Sequence, residues 1–293
     1  NISNESFDDI RPKASVAANT GQGVDMVWGL YSLPHLFPEK CLDVSDVANY
    51  LGKKYGGWFP SAEAYGKSKG KWIAIPVATT GGLINYRKQA CEKAGFKEFP
   101  KDTAGMLELV KALKKNNTPA GMALGHASGD ANTWLHWALW AFGGQLVDKN
   151  DKVIINSPET AKSLEYVKAL YDNFIPGTAS WNDSSNNKAF VAGELYLTSN
   201  GISVYVTASR ENKAIAEDMD HAYLPIGPVG KPTELHLAFP ILTFSFTKFP
   251  NACKAFAAFM QEKENFNPWI EAAAGYLSHF LAAYDTNPVW TAD

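Results

Sequence analysis

The sequence predicts an α/β protein of two lobes joined by crossing strands. Three observations carry that prediction. Strand-length apolar runs alternate with amphipathic helices along the whole chain, the pattern that layers helices on sheets. The 293 residues suffice for one large domain or two of ordinary size. Two strand-like runs far apart in sequence are interrupted inside: "IPVATTGGLINY" (75–86) by Thr79-Thr80-Gly81-Gly82, and "LHLAFPILTFSFTK" (235–248) by Pro240. Glycine weakens a strand interior, so the first interruption reads as a passage between lobes, and the second is its counterpart. If both runs cross, each lobe is discontinuous. The expected division is 1–78 with 243–293, and 83–237, with hinge crossings at 79–82 and 238–242.

Each element follows in order. "VDMVW" (Val24–Trp28) reads as a short buried strand, and "GLYSLPHLF" after it as a turn and short helix. "GKWIAIPVA" (Gly70–Ala78) is a second strand, and Tyr86–Gly95 a surface helix closed by Gly95. The helix "KDTAGMLELVKALKKNN" is capped by Asp102 or Thr103, whose side-chain oxygen takes an orphan N–H. Its Met106, Leu109, Val110 and Leu113 recur at helical spacing. "GMALGHASGD" reads as a strand running into a loop, and "TWLHWALWAFGG" as a buried helix stopped by Gly143-Gly144. Ser157 caps the next helix, Pro158 occupies its first position, and Leu164, Val167, Leu170 and Tyr171 form the expected buried stripe. "SSNNKAFVAGELYLTSNG" is a capped short helix ended by Gly193, then a strand. "AYLPIGPVGKP" is a rigid loop, and "NACKAFAAFMQEKENFNPWIEAAAG" gives two helices divided at Pro268. The alternation implies largely parallel sheets.

Composition narrows the function. A net charge of −3 leaves no basic excess to neutralise phosphates, so no nucleic-acid partner is expected. No apolar run approaches the ~20 residues of a membrane span. Nine Trp, twelve Tyr and sixteen Phe serve a core and also suit a pocket that stacks on ring-shaped ligands. Cys41, Cys91 and Cys253 are scattered without a C-x-x-C, so no zinc ribbon or thioredoxin site is expected, and the expected binding role calls for no metal or cofactor. The chain opens at "NISNESFDDI" without Met or signal peptide and stops at "NPVWTAD", which reads as a mature or trimmed chain, incomplete at both ends.

The ordered set "VDMVW", "GKWIAIPVATTGGLINYRK…CEKAGF", "FGGQLVDKNDKVIINSPETAKSLEYVKALYDN", "NKAFVAGELYLTSNG", "LPIGPVGKP" and "FPNACKAFAAFMQEKENF" resembles the extracellular solute-binding proteins of ABC importers, in the cluster that includes maltose-binding protein. The resemblance covers nearly the whole chain. It implies a two-lobed periplasmic-binding-protein-like clamp with a ligand cleft, secretion to the periplasm or cell exterior, and delivery to a membrane permease. Against that pattern the chain lacks the usual opening strand–helix–strand and the closing helices. Secretion would permit Cys41 and Cys253, both in the first lobe, to pair if their Cα atoms lie within ~7 Å.

Candidate ligand-binding residues sit at predicted strand ends, where α/β sheets bind ligands. Tyr31 and Ser32 follow the first strand, whose Trp28 reads as core. Thr79 and Thr80 occupy the first crossing. His126, Asp130 and Asn132 cluster at a helix N-terminus, with Asp130 or Asn132 doubling as its cap. Trp181 beside Asn182 suits a stacking platform for a sugar. Asn200 and Ser203, with Tyr205 near, follow another strand, and Phe239 and Tyr276 make one wall. Many members of the resembled family carry a Trp just after the glycine that Gly201 matches; here Ile202 and Ser203 follow, which argues against a maltodextrin in particular. No G-x-S-x-G, H-E-x-x-H or phosphate loop occurs. A glycosidase needs only two facing carboxylates, for which Asp130 and Asp183 are the crude candidates. The expected function is therefore binding without catalysis, by a monomer, of a small neutral polar solute, foremost a sugar. A polyamine or another small polar solute is the alternative, and a carbohydrate-active enzyme the third. Arg11, Arg87 and Arg210 are too scattered to receive a polyanion.

Overall fold

The structure, a computed structural model, describes residues 2–125 and 127–291. The chain divides into two compact units, Asn1–Thr80 with Leu237–Asp293, and Gly81–His236. It passes between them twice, at Thr80–Gly81 and at His236–Leu237. The second passage precedes the 238–242 segment expected from Pro240, because that whole segment is hydrogen-bonded into a strand of the first unit.

Helix α1 (Phe7–Thr20) opens the chain, capped by Ser6 and closed by Gly21 in the left-handed region at φ 66°. Strand β1 (Met26–Trp28), helices α2 (Ser45–Lys54) and α3 (Pro60–Gly66), the small hairpin β2 (Lys67–Ser68) and β3 (Lys71–Trp72), and β4 (Ile75–Thr80) complete the first pass through this unit. The second unit runs β5 (Leu83–Arg87), α4 (Lys88–Lys93), α5 (Thr103–Lys115), α6 (Asp130–Ala141), α7 (Pro158–Tyr171), α8 (Ser185–Val191), β6 (Leu197–Asn200), α9 (Ser203–Glu211), α10 (Lys213–Asp218) and β7 (Met219–Tyr223). The chain then returns as β8 (Leu237–Thr243), α11 (Pro250–Gln261) and α12 (Lys263–Ala272).

The first unit's sheet has the order β1-β8-β4 and the second β6-β5-β7, every ladder antiparallel. Among the described residues the expected parallel pairing survives only at isolated contacts. Residues 119–124 lie beside β6 and Phe174, with Gly121 N donating to Leu197 O at 2.9 Å and Ile175 N to Ala120 O at 2.8 Å, but do not extend into a strand. Pro240 does not break β8. It lies opposite Pro76 and just beyond the last residue of β1, so its missing N–H costs the ladder one bond at most.

Two other expectations shift. The last helices part at Glu262, not at Pro268, which lies inside α12. Glu262 is extended there, and its carboxylate accepts from Tyr50 Oη at 2.8 Å, Lys54 Nζ at 2.5 Å and Tyr55 Oη. On α7 the inward face is Thr160, Ser163, Tyr166 and Leu170, while Leu164 is 61% and Tyr171 42% exposed. Tyr166 takes the inner position because its ring meets Phe142 at 5.1 Å and Trp137 at 6.2 Å.

Each unit has its own core. In the second, Trp134 and Trp137 are fully buried and donate their indole N–H to Ala123 O (2.8 Å) and Pro225 O (2.9 Å), satisfying the polar end of a large apolar payload. In the first, Leu51, Ile75, Phe266, Ile270 and Tyr284 pack together. Cys41, Cys91 and Cys253 are buried free thiols, so no bridge joins Cys41 to Cys253. Burial first, with neighbouring carboxylates, pushes the Cys41 and Cys91 thiols up to about 12. Among the described residues no helix is long and apolar enough to cross a membrane.

Candidate functional site

On the first unit, the β4–β8 register gathers residues that lie far apart in sequence. Thr79 pairs with Ala238 and Thr80 with Leu237, beside the two chain passages. Thr79 also exchanges backbone bonds with Ser278 (3.1 and 2.7 Å), which brings Leu277 and Tyr276 alongside. Past the end of β1, Tyr31 N donates to Ala238 O at 2.9 Å. Tyr31 holds φ 49°, a left-handed backbone that is a true outlier for a bulky side chain and is found where surroundings over-determine it. Tyr31 and Tyr276 pack partly buried on Ala78, Leu237, Phe239 and Leu277.

Not every expected residue is at the surface of this wall. Phe239 is only 4% exposed and lies under Phe7 (6.1 Å) and Trp28 (6.2 Å), so it backs the wall. Trp28, read as core, is only partly buried and meets Trp269 edge-on at 5.6 Å. Thr79 and Thr80 are buried, and Thr79 Oγ1 has no hydrogen-bond partner among the described residues. Ser32 is exposed.

The second unit carries a polar network. Asp130 Oδ2 accepts from Asn186 Nδ2 (2.8 Å) and Asn200 Nδ2 (3.0 Å). Asn200 Nδ2 also donates to Asn187 Oδ1 at 2.7 Å, and Asn187 Nδ2 to Ser203 Oγ at 3.2 Å. Asn200 Oδ1 accepts from Gly201 N (2.7 Å) and Ser203 Oγ (3.3 Å), closing a ring at the start of α9. Beneath it, the buried Asn85 amide donates to the carbonyls of Asn200 (3.2 Å) and Gly201 (3.3 Å). Tyr205, 42% exposed, stands edge-on to His221 at 5.8 Å.

The cap of α6 is neither Asp130 nor Asn132. Asp183 reaches in from another segment and accepts Gly129 N at 3.0 Å and Asp130 N at 2.8 Å. Asp130, with burial as the main cause and the Asp183 carboxylate second, is pushed up to about 8. Asn132 is exposed and turned back on Ser128 O at 2.7 Å. Asn182 Oδ1 is engaged by the Ser184 N–H (3.1 Å) and the Ser185 hydroxyl (3.0 Å), a local turn ahead of α8. Trp181 packs partly buried between the clusters of Ala123, Ala127 and Ala131 and of Ala189, Phe190 and Leu195. His126 lies outside the described residues.

Sequence reasoning missed Asn186, Asn187 and Glu234. The signal for the first two was the asparagine pair inside a short helix, where a buried amide demands partners. Glu234 bears on the first glycine of the passage and Thr133 on the second. Neither Gly81 nor Gly82 uses a left-handed backbone. A Cβ on Gly81 would lie 2.7 Å from Glu234 Oε1, and one on Gly82 2.8 Å from Thr133 Cγ2. Close approach, not conformational freedom, is what a side chain would meet here: at Gly81 it would push the mobile end of Glu234 aside, and at Gly82 it would press on the Thr133 methyl.

The chain is 25% identical over 235 residues to a probable ABC transporter-binding protein of Deinococcus radiodurans, covering 78% of this chain and 54% of that one. It is 25% identical over 228 residues to the putative ABC transporter periplasmic-binding protein YcjN of Escherichia coli, covering 75% and 50%. The chain thus spans about half the length of these curated relatives. In fold it matches maltose-bound MalE3 of T. maritima with a TM-score of 0.86 at 21% identity, over 98% of this chain and 75% of that one. It likewise matches a sugar transporter protein of Arthrobacter chlorophenolicus with bound laminaribiose (TM-score 0.84, 19% identity, 99% and 73% covered). These likenesses establish the fold as the mixed α/β architecture of two-lobed solute-binding proteins. The family model of bacterial extracellular solute-binding proteins matches residues 1–293, and the chain belongs to that family.

Proposed function

We propose that this chain is the solute-capturing component of an ABC importer, working outside the cytoplasm and handing a small neutral, hydroxyl-rich solute to a membrane permease without altering it. The observation that carries the ligand class is the Asp130–Asn186–Asn187–Asn200–Ser203 network: one carboxyl group, three amides and a hydroxyl, with no Lys or Arg among its hydrogen-bond partners in the described residues. Amides of this kind match the donors and acceptors of sugar hydroxyls, and nothing in the network would neutralise an anion. Tyr31, Ser32, Thr80 and Tyr276 on the first unit, and Asp130, Asn200, Ser203 and Tyr205 on the second, are the proposed contacts. Trp181, Phe239 and Thr79 support them from beneath. A clamp closes only on a ligand that touches both units, since a ligand shifts a conformational equilibrium by its differential affinity alone.

The fold neighbours favour the same class: structures of such proteins hold maltose, laminaribiose, tagatose and ribitol, although another holds glycerophosphocholine. The test is titration calorimetry against sugars, sugar alcohols, polyamines and organic acids, with the recovered ligand checked by mass. Binding of an intact sugar or polyol, weakened about tenfold or more in Tyr31→Ala, is expected, an aromatic contact being worth about 1.5–3 kcal/mol. Binding confined to a charged compound, or turnover of a sugar, would overturn the reading.

A further inference from the structure

We propose that Glu234 is a conformational control residue: its carboxylate ties the two chain passages to each other on the Gly81–His236 unit and thereby governs how freely they flex. The idea rests on the clamp reading above but concerns a residue outside the proposed contacts. Glu234 Oε1 accepts the Gly82 N–H at 3.0 Å, across 152 residues of sequence. The same oxygen lies 3.8 Å from Nε2 of His236, the last residue before the second passage. One oxygen thus meets the start of one passage and the end of the other.

The surroundings make this contact decisive for the local backbone. After β7 the chain from Leu224 to His236 forms no helix or strand. On this stretch Thr233 Oγ1 donates to Trp137 O at 3.2 Å, and the next residue, Glu234, holds Gly82. Gly82 leads directly into β5, the central strand of the unit's sheet. A charged acceptor on a backbone N–H makes a stronger bond than a neutral one. Gly81 fits the same device, because the only described atoms within 4 Å of a Cβ built there belong to the Glu234 carboxylate. Its backbone is not left-handed, so alanine is permitted there apart from that collision.

The experiment uses the whole chain and no ligand. Wild type, Glu234→Gln, Glu234→Ala, Gly81→Ala and the Gly81→Ala/Glu234→Ala double variant are compared by hydrogen exchange of the Gly82 amide. Distance distributions between spin labels on the two units are measured in parallel, at added surface cysteines because the native thiols are buried. Exchange at Gly82 is expected to speed up about tenfold or more in Glu234→Ala and by less in Glu234→Gln, which keeps an acceptor but not its charge. The label distances should broaden with it. Gly81→Ala should reproduce Glu234→Ala, since the new methyl displaces the carboxylate, and should add nothing when Glu234→Ala is already present. Unchanged exchange in Glu234→Ala, or additive effects of the two substitutions, would overturn the proposal. Faster exchange with unchanged label distances would make Glu234 a local staple and equally overturn the control role. Failure of every sugar to bind would sink the proposed ligand while leaving these readouts intact.

Discussion

Asp130 accepts two amide N–H bonds on one oxygen and lies close to a second carboxylate, that of Asp183. Burial and that neighbour push its carboxyl up to about 8. An unfolded aspartate releases its proton near about 4. Between those values the folded chain holds a proton that the unfolded chain has lost, so this group makes stability fall as pH rises through the window. Asp130→Asn keeps an acceptor for Asn186 and Asn200 and removes the titration. The melting temperature of the variant should therefore gain on wild type as pH is raised from about 5 to about 9, followed by scanning calorimetry. Parallel curves would show that Asp130 is ionised throughout. Trp181 teaches the complementary lesson at the same scale. Its polar neighbours suggest a stacking platform, and local sequence cannot say which way a ring turns; in the fold the partly buried ring packs against alanine-lined clusters. Trp181→Ala should cost about 2–3 kcal/mol of folding stability in chemical denaturation, the value of burying most of a large aromatic side chain; an unaffected midpoint would restore the platform.

Helix starts were legible when the cap lay next door. Asp102 Oδ1 accepts Gly105 N at 2.8 Å, and Ser157 Oγ accepts Thr160 N at 3.1 Å, both as their sequence context indicates. The start of α6 was not, because its carboxylate comes from Asp183, 53 residues away. The same limit applies to Glu262, which joins α2 to the α11–α12 junction through Tyr50, Lys54 and Tyr55. Burial raises this carboxyl, but hydrogen bonds from Lys54, Tyr55 and Tyr50 outweigh it and hold it below the ordinary glutamate range. The contribution is present above that range and is lost as pH falls through the lowered value. Glu262→Ala should cost about 1–3 kcal/mol at neutral pH, by loss of charge-assisted hydrogen bonds. In urea denaturation the gap from wild type should shrink in acid. A gap that persists in acid would mean that packing, not charge, joins these helices.

For the whole molecule, ligand binding should appear as stability. A solute that binds only the folded chain adds about 2.7 kcal/mol at a hundred times its dissociation constant. A thermal-shift screen should therefore find sugars or polyols that raise the melting temperature in a concentration-dependent way, and Tyr31→Ala should blunt that rise at equal concentration. A panel in which only polyamines or organic acids shift the transition would redirect the ligand class.

Periodicity, capping residues and glycine stops are properties of neighbouring residues, so the sequence alone determined the helices over Thr103–Lys115 and Pro158–Tyr171, the body of α6 from Thr133 onward though not its start, and the ordered motifs that resemble the solute-binding family. It also determined that the chain is poor in arginine, which constrains the ligand before any fold is known. Pairing partners are not local. Antiparallel ladders in place of parallel ones, the unbroken run of β8 through Pro240, and the points of passage were decided by which strands meet, because a backbone N–H is satisfied wherever an acceptor lies in space. The proposed site follows the same rule. Tyr31, Thr80 and Tyr276 were visible as residue types, but only the β8 register and the Ser278 bridge gather them. Asn186, Asn187 and Glu234 carried no local signal strong enough to name them, since a buried amide or carboxylate is defined by partners that folding brings from far along the chain.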